Sequence, residues 1–175
     1  MRYFLITFSS LILIYIFIKG LSKDPKIIPS NLINETVPNF LLKPISSDIK
    51  FFERDLLLDN NHVKLVNVFA SWCPPCKIEH PQINYLSKKE NLMVFGMNKK
   101  DKKEDLKSWL KELGNPYHAI GSDLSGRASI EWGVYGLPET FIVDKKSKIR
   151  FKHIGPILER DLIKITQIIE KLLDE

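Results

Sequence analysis

The sequence predicts an α/β sandwich around a mixed central sheet, preceded by one hydrophobic helix. Strand-like and helix-like segments alternate along most of the chain, which is typical of an α/β fold whose strands are joined by helices. The last two strand-like segments, residues 139–144 and 148–154, are joined by a Lys-Lys-Ser turn and therefore predict an antiparallel hairpin. A run of apolar residues at the N terminus accounts for the additional helix.

Residues 1–22 are predicted to form a signal anchor that crosses a membrane. Residues 3–18 carry no charged side chain and would form a helix about 24 Å long at ~1.5 Å per residue. This length is slightly short of a hydrocarbon core of ~30 Å, but it is longer than most signal-peptide apolar regions. A leader that is cleaved after Ser22 is the alternative. Basic residues flank the segment on both sides, so the charge distribution alone does not fix its orientation.

Residues 23–36 are predicted to be a linker, because Pro, Asn, Ser and charged residues follow one another there without periodicity. The folded domain is expected to span residues 37–175. Its first strand is predicted at residues 37–42, and residues 51–58 are expected to form a strand or a turn. Residues 64–70 (KLVNVFA) are mostly apolar and rich in β-branched side chains, as in a central strand that is covered on both faces.

The remaining elements follow from apolar periodicity and from helix-ending residues. A helix is predicted over residues 73–89, and a second buried strand over residues 92–98. Asp101 is expected to cap the next helix, which ends near Gly114. A short strand at residues 117–122 and a short helix at residues 125–132 precede the hairpin. The C-terminal helix is amphipathic, with one apolar face formed by Leu158, Leu162, Ile165, Ile169 and Leu172.

Composition and charge exclude several classes of protein. The chain is 44% hydrophobic with 10 Phe and 3 Trp, which excludes a disordered or fibrous chain. The net charge is +5, but lysines beyond the first 22 residues are interleaved with acidic residues, which argues against nucleic-acid binding. The chain has only two cysteines, so a disulfide framework and a four-cysteine zinc site are both excluded.

Cys73 and Cys76 carry the most informative chemistry in the sequence. They follow the central strand and bracket the first turn of a helix in the segment FASWCPPCKIEHP. The free N–H groups and the positive dipole end of that turn favour a thiolate at Cys73 and lower its pKa. Cys76 lies on the same helical face and can resolve a mixed disulfide. The pair therefore predicts a redox-active dithiol, with a metal site or an inert buried pair as alternatives.

Three residues that follow Cys76 on the same helix have separate predictions. Glu79 lies one turn further on and is a candidate proton acceptor for the Cys76 thiol. Its alternative is a solvated surface glutamate that pairs with a lysine. His80 is predicted to lie on the surface, and Pro81 is expected to kink the helix.

A second motif lies about 60 residues further along the chain, at residues 133–141 (GVYGLPETF). Two glycines followed by Leu-Pro before a strand indicate a tight turn, in which the Leu137–Pro138 bond is a candidate cis bond. In that case Pro138 can pack beside the cysteines. The backbone before it is then exposed as a strand edge for an extended substrate.

Together the two motifs resemble those of the thioredoxin superfamily. More narrowly, residues 67–81 and 133–144 resemble membrane-anchored thiol:disulfide interchange proteins of cytochrome c maturation, the DsbE/CcmG type. The resemblance covers roughly residues 37–173. It departs from the family in one respect, since relatives often have a single proline between the two cysteines and this chain has two. That departure leaves the redox potential open.

The resemblance implies a thioredoxin fold and a role for each site residue. Cys73 would be the attacking thiol and Cys76 the resolving thiol, with Pro138 as the cis-proline beside them. Glu79 and Glu139 would be the acidic residues around the active site. Substrate contacts would come from three residues near the cysteines, namely Trp72, Leu137 and Glu139.

The resemblance also implies partners and a location. Such proteins are kept reduced by a transmembrane thiol-relay protein, and they reduce the disulfide of a Cys-x-x-Cys-His segment in apocytochrome c before haem is attached. We expect a single-pass protein of the bacterial inner membrane with its catalytic domain in the periplasm. No cofactor other than the Cys73–Cys76 disulfide and no nucleic-acid partner are expected. A general disulfide oxidant, a reductase of other secreted proteins and a metal-carrying module are the alternatives.

Overall fold

A computed structural model of the chain describes residues 2–21 and 31–175. The domain is built on one sheet with five strands, namely β1 (Val63–Phe69), β2 (Leu92–Lys99), β3 (Ala119–Asp123), β4 (Glu139–Val143) and β5 (Ile149–Ile154). Their order across the sheet is β3-β2-β1-β4-β5. The first three strands are parallel, whereas β4 is antiparallel to both β1 and β5. The mixed sheet and the terminal hairpin confirm the predicted fold class.

The helices that follow the first one cover both faces of the sheet. The helices are α1 (Arg2–Leu21), α2 (Pro74–Leu86), α3 (Lys103–Leu113), α4 (Arg127–Glu131) and α5 (Glu159–Asp174), with a 3₁₀ turn at Arg54–Leu57. One hydrophobic cluster joins the sheet to α2, α3 and α5, and a second joins its other face to α4 and to the segment before β1. Strand β1 is buried along its whole length. Its side chains alternate between the clusters, with Leu65 in the first and Val66 in the second.

Residues 37–42 were predicted to form a strand, and this prediction is wrong. Thr36 pairs with Lys148 beside β5, while Lys43 pairs with Ser122 of β3, and both pairs are isolated bridges. Because β5 and β3 are the two edges of the sheet, the chain crosses the whole sheet face between these bridges. A segment that runs across the sheet in this way can pair with each edge strand at one residue only, so it does not form a strand. It packs Phe40 into the second hydrophobic cluster instead.

The N-terminal predictions fall partly on residues that the structure does not describe. The cleavage point at Ser22 and most of the linker at residues 23–36 lie outside the described residues. The contacts of the domain begin ahead of residue 37, since the Asn34 N–H donates to the Ile149 carbonyl and the Ile149 N–H donates to the Glu35 carbonyl. The sequence predicted an anchor at residues 1–22. Among residues 2–21 and 31–175, no helix is both long and apolar enough to cross a membrane.

Candidate active site

The two cysteines lie where the central strand passes into a helix. Strand β1 ends at Phe69, and Cys73 occupies the position that caps α2, with an extended backbone. Cys73 and Cys76 form a disulfide, and their Cα atoms are 5.3 Å apart. Both are almost fully buried, at 3% and 1% exposure. The pairing agrees with the predicted redox-active dithiol, and it places the sulfurs at the edge of the first hydrophobic cluster.

Among the first three residues of α2, one backbone N–H group is available to donate a hydrogen bond to a thiolate at Cys73. Pro74 and Pro75 occupy the first two helical positions, and neither has an N–H group. The next donor is the Cys76 N–H, which points at the Cys73 sulfur with a nitrogen–sulfur distance of 3.3 Å. This bond and the positive end of the helix dipole favour the thiolate form of Cys73 when the disulfide is reduced.

Glu79 lies in the protein interior, one helical turn beyond Cys76, with 1% of its surface exposed. Its Oε1 atom accepts a hydrogen bond of 2.8 Å from Asn67, and its Oε2 atom accepts one of 3.0 Å from the Ile157 N–H. Burial raises the pKa of Glu79 from 4.5 to about 7, although both hydrogen bonds act in the opposite direction. The alternative of a solvated surface glutamate is therefore wrong. Proton exchange between Glu79 and Cys76 stays a prediction.

A buried polar network surrounds Glu79, and the sequence patterns did not predict it. Asn67 donates to Glu79 and to the Thr140 hydroxyl, and its own side-chain oxygen accepts a 2.8 Å bond from the Tyr117 hydroxyl. Burial and the negative charge of Glu79 hold the pKa of Tyr117 well above its usual value. The signal in the sequence was Asn67 itself, a polar side chain in the middle of an apolar strand.

His80 does not lie on the surface as predicted. Only 2% of it is exposed, and its Nε2 atom is 3.0 Å from the Gly114 carbonyl oxygen. Its ring meets the edge of Trp109, with ring centres 4.2 Å apart. Helix α3 covers this side of α2, and burial consequently lowers the pKa of His80.

The second motif forms a loop at the same end of the sheet as the cysteines. The Leu137–Pro138 bond is cis. Glu139 pairs with Val68 in the antiparallel register of β4 and β1, so Pro138 lies beside the end of β1 from which the chain continues to Cys73. Leu137 is half-buried against both hydrophobic clusters. The roles of Pro138 and Leu137 toward a substrate stay predictions.

Glu139 faces the inside of this loop. Its Oε1 atom accepts hydrogen bonds from the Tyr135 and Gly136 N–H groups, at 2.8 and 3.1 Å. Its Oε2 atom lies 2.9 Å from the Lys152 ammonium, which also donates to the Gly133 carbonyl at 2.7 Å. The two charged side chains are at most 3% exposed, so they hold the loop in place from within. The predicted contact between Glu139 and a substrate is untested.

Trp72 and Asp101 connect the turn before Cys73 to the loop between β2 and α3. Trp72 is 58% exposed, and its indole N–H donates to the Lys100 carbonyl. Asp101 was predicted to cap α3, but Lys102 occupies that position. The carboxylate of Asp101 instead accepts 2.6 and 2.7 Å bonds from the Ser71 N–H and hydroxyl, and a 2.8 Å bond from Asn98. It thereby ties the turn before the cysteines to the neighbouring loop.

Asp101→Asn is expected to destabilise the domain by about 2 kcal/mol and to slow disulfide exchange several-fold. The reason is that the amide N–H group of asparagine would face an N–H or hydroxyl donor where the carboxylate oxygen accepts a hydrogen bond. The measurements are denaturant unfolding and the rate of reduction of a disulfide peptide. Asp123→Asn is the matched control. Asp123 is buried and accepts bonds from Ser129 and Ala128 in α4. The Asp123→Asn variant should lose a similar amount of stability, but its exchange rate should not change. An equal loss of exchange rate in both variants would contradict a positioning role for Asp101.

Fold and site together define a thiol-disulfide oxidoreductase with a thioredoxin-like fold. Over residues 33–169 the chain matches the Redoxin family. It is 41% identical over 138 residues to the thiol:disulfide interchange protein DsbE of Allochromatium vinosum, and this alignment covers 79% of the chain and 75% of the relative. The chain belongs to the DsbE-type thiol:disulfide interchange proteins of the thioredoxin superfamily.

Two further comparisons agree with this assignment. The thiol:disulfide interchange protein HelX of Rhodobacter capsulatus is 37% identical over 150 residues, which cover 86% of the chain and 82% of the relative. The crystal structure of a thioredoxin-family thiol:disulfide interchange protein from Chlorobium tepidum superposes with a TM-score of 0.60 at 21% identity. It covers 83% of this chain and 99% of that one, and it supports the fold alone.

Proposed function

We propose that this protein reduces the disulfide of apocytochrome c in the periplasm, before haem is attached. The chain's membership of the DsbE-type proteins supports the reaction class. The resemblance of residues 67–81 and 133–144 to the cytochrome c maturation proteins supports the client and the compartment. The observation that carries the chemistry is the buried Glu79 one helical turn from Cys76, with a pKa near neutrality.

The reaction proceeds in two exchanges. The Cys73 thiolate attacks one sulfur of the client disulfide, a mixed disulfide forms, and the other client sulfur leaves as a thiolate. Cys76 then loses its proton and attacks the Cys73 sulfur, which releases the second client thiolate. The client gains two electrons, and the Cys73–Cys76 disulfide forms again. A transmembrane thiol-relay protein returns the chain to the dithiol state.

Glu79 serves the second exchange. Cys76 is 1% exposed, so water cannot readily take its proton. Side chains three residues apart on a helix are neighbours, and Glu79 is therefore the carboxylate within reach of the Cys76 thiol. A group whose pKa lies near the working pH both accepts and releases a proton efficiently. Each turnover accordingly passes the Cys76 proton through Glu79.

The same charge supports electron flow from this protein to the client. A carboxylate near a buried thiol disfavours the thiolate and raises the thiol pKa, whereas strong disulfide oxidants depend on a stabilised thiolate. This favours a reductant over a disulfide donor. The second candidate, an oxidant of secreted proteins, needs a strongly depressed pKa at Cys73.

The equilibrium potential of the Cys73–Cys76 couple tests the direction. We would titrate the purified full chain against glutathione and dithiothreitol. A value near that of thioredoxin, about −270 mV, is expected for a reductant that needs an electron supply. A value near −120 mV would identify a disulfide donor and overturn the proposal.

The client is tested separately with two oxidised peptides of equal length and charge. One contains Cys-x-x-Cys-His, and the other contains the same residues with the histidine moved away from the second cysteine. The reduced chain is expected to reduce the first peptide faster. Equal rates would contradict the proposed client while leaving the reaction class intact.

A further inference from the structure

Five lysines are concentrated at the end of the sheet that carries the cysteines. Two lie in the connection between β2 and α3, two are the strand-end and helix-start residues that flank it, and the fifth precedes β1 and is brought close by its pairing with Ser122. We call these residues the lysine rim: Lys43, Lys99, Lys100, Lys102 and Lys103. Four of the five are exposed, and Lys99 is half-buried. Lys43 and Lys103 line a common cleft of about 230 Å³.

Backbone and side-chain contacts fix the lysine rim next to the active site. Strands β1 and β2 are parallel, and Phe69 pairs with Asn98, so the chain leaves both strands at the same end of the sheet. The connection after β2 is held to the turn before Cys73 by the indole N–H of Trp72 and by the carboxylate of Asp101. The connection that carries most of the rim is consequently held against the turn that precedes Cys73.

The rim lysines alternate with Asp101, Glu104 and Asp105 in the sequence, but they lack ion-pair partners in the described parts of the chain. No acidic side chain among them forms an ion pair with any of the five lysines, whereas Lys77, Lys89 and Lys107 each have an acidic partner. Asp101 is buried, and its oxygens accept bonds from Ser71, Asn98 and the Lys102 N–H. Glu104 and Asp105, in the first turn of α3, form no ion pair with the rim.

We propose that the lysine rim binds acidic residues that flank the disulfide of the partner polypeptide. This rests on the proposed exchange reaction and adds a property of its substrate, namely negative charge close to the cysteines. A cationic surface beside the reactive atom raises the rate of encounter with an anionic partner and helps to orient it. The exposed Trp72 supplies an aromatic contact at the same place. The rim lies at the end of the sheet that carries the dithiol, which a polypeptide disulfide must reach and a lipid need not.

The test uses two oxidised peptides that each contain one Cys-x-x-Cys disulfide. One peptide carries four aspartates around the cysteines, and the other carries four asparagines at the same positions. The reduced full chain, in a neutral detergent, should reduce the acidic peptide about 10-fold faster at low salt. This ratio should approach one at high salt, because the attraction is screened. Taking the ratio cancels any change in the reactivity of Cys73 itself.

The double variant Lys102→Glu/Lys103→Glu should reduce the ratio to one or below. Both residues lie at the N-terminal end of α3, where acidic side chains are favourable, so the fold should be kept. The matched control is Lys146→Glu/Lys148→Glu in the β4–β5 turn, at the opposite end of the sheet, and it should retain the ratio of the unmodified chain.

Two results would overturn the proposal about the rim. One is a ratio near one for the unmodified chain while both peptides are still reduced. The other is an unchanged ratio in the rim variant; if that variant also loses binding to vesicles of anionic phospholipid, the rim is assigned to a membrane surface instead. Failure to reduce either peptide would instead overturn the exchange function on which the proposal rests.

Discussion

Cys73→Ser is expected to abolish disulfide exchange, whereas Cys76→Ser is expected to complete the first step and then stop. Cys73 caps α2, where its sulfur accepts the Cys76 N–H and meets the positive end of the helix dipole. A serine hydroxyl there does not ionise near neutral pH and cannot form a disulfide. Cys76 is the third residue of α2 and lies further from the positive helix end than Cys73, so Cys73 is expected to be the attacking group.

The measurement combines a turnover assay with mass spectrometry of the protein after incubation with an oxidised Cys-x-x-Cys peptide. Cys76→Ser should accumulate a one-to-one mixed disulfide through Cys73, and Cys73→Ser should accumulate none. Each variant is the control for the other, because both replace one buried sulfur by one oxygen. A stable adduct on Cys76 in the Cys73→Ser variant would reverse the roles assigned to the two thiols.

Glu79→Gln is expected to slow exchange at neutral pH by about 100-fold, the lower end of what a positioned proton acceptor contributes. Glutamine fits the same space but cannot take the Cys76 proton. The loss should be largest in the step that resolves the mixed disulfide, so the variant should accumulate that intermediate during turnover. Quenched-flow analysis of the mixed disulfide separates this result from a general loss of folded protein, which would slow both steps equally.

The same variant should change the pH dependence of stability. The pKa of Glu79 is about 7 in the folded protein and 4.5 in the reference state, so the folded state binds the proton more tightly. Between these values the unfolded chain holds fewer protons, and the free energy of unfolding falls as the pH rises. The contribution of Glu79 to the free energy of unfolding is fully present below pH 4.5 and is lost as the pH rises through 7. It amounts to roughly 3 kcal/mol.

Denaturant unfolding of the oxidised protein between pH 5 and pH 8 checks this sign. In that form the cysteines do not titrate. Burial also lowers the pKa of the neighbouring His80, but His80 is present in both proteins, so its contribution cancels when Glu79→Gln is compared with the unmodified chain. Glu104→Gln on the exposed surface of α3 is the control. Parallel stability curves for the unmodified chain and Glu79→Gln would contradict a raised pKa at Glu79.

The elements that the sequence predicted well are those whose pattern is local. The central strand, the amphipathic C-terminal helix and the β4–β5 hairpin each carry a periodic or turn signal within a few residues. The cysteine pair was found because its spacing and its place after a buried strand carry the chemistry together. The cis bond before Pro138 was anticipated from the glycines and the Leu-Pro step of one motif.

The elements that were missed depend on contacts between distant parts of the chain. His80 is buried only because α3 covers it, and Asp101 serves the turn before Cys73 instead of its own helix. The network around Glu79 joins Asn67 on β1 to Tyr117, 50 residues later. No local pattern in the sequence predicts hydrogen bonds between residues that are so far apart in the chain.

The two prolines between the cysteines affect the reducing strength of the Cys73–Cys76 couple. Among the first three residues of α2, only Cys76 has an N–H group to offer the Cys73 sulfur. A sulfur anion that receives fewer donors is a poorer leaving group, so the disulfide in which it takes part resists cleavage. We therefore expect the Pro-Pro pair to bias the couple toward electron donation, and the chain would then depend in every cycle on an upstream electron donor at least as strong as itself.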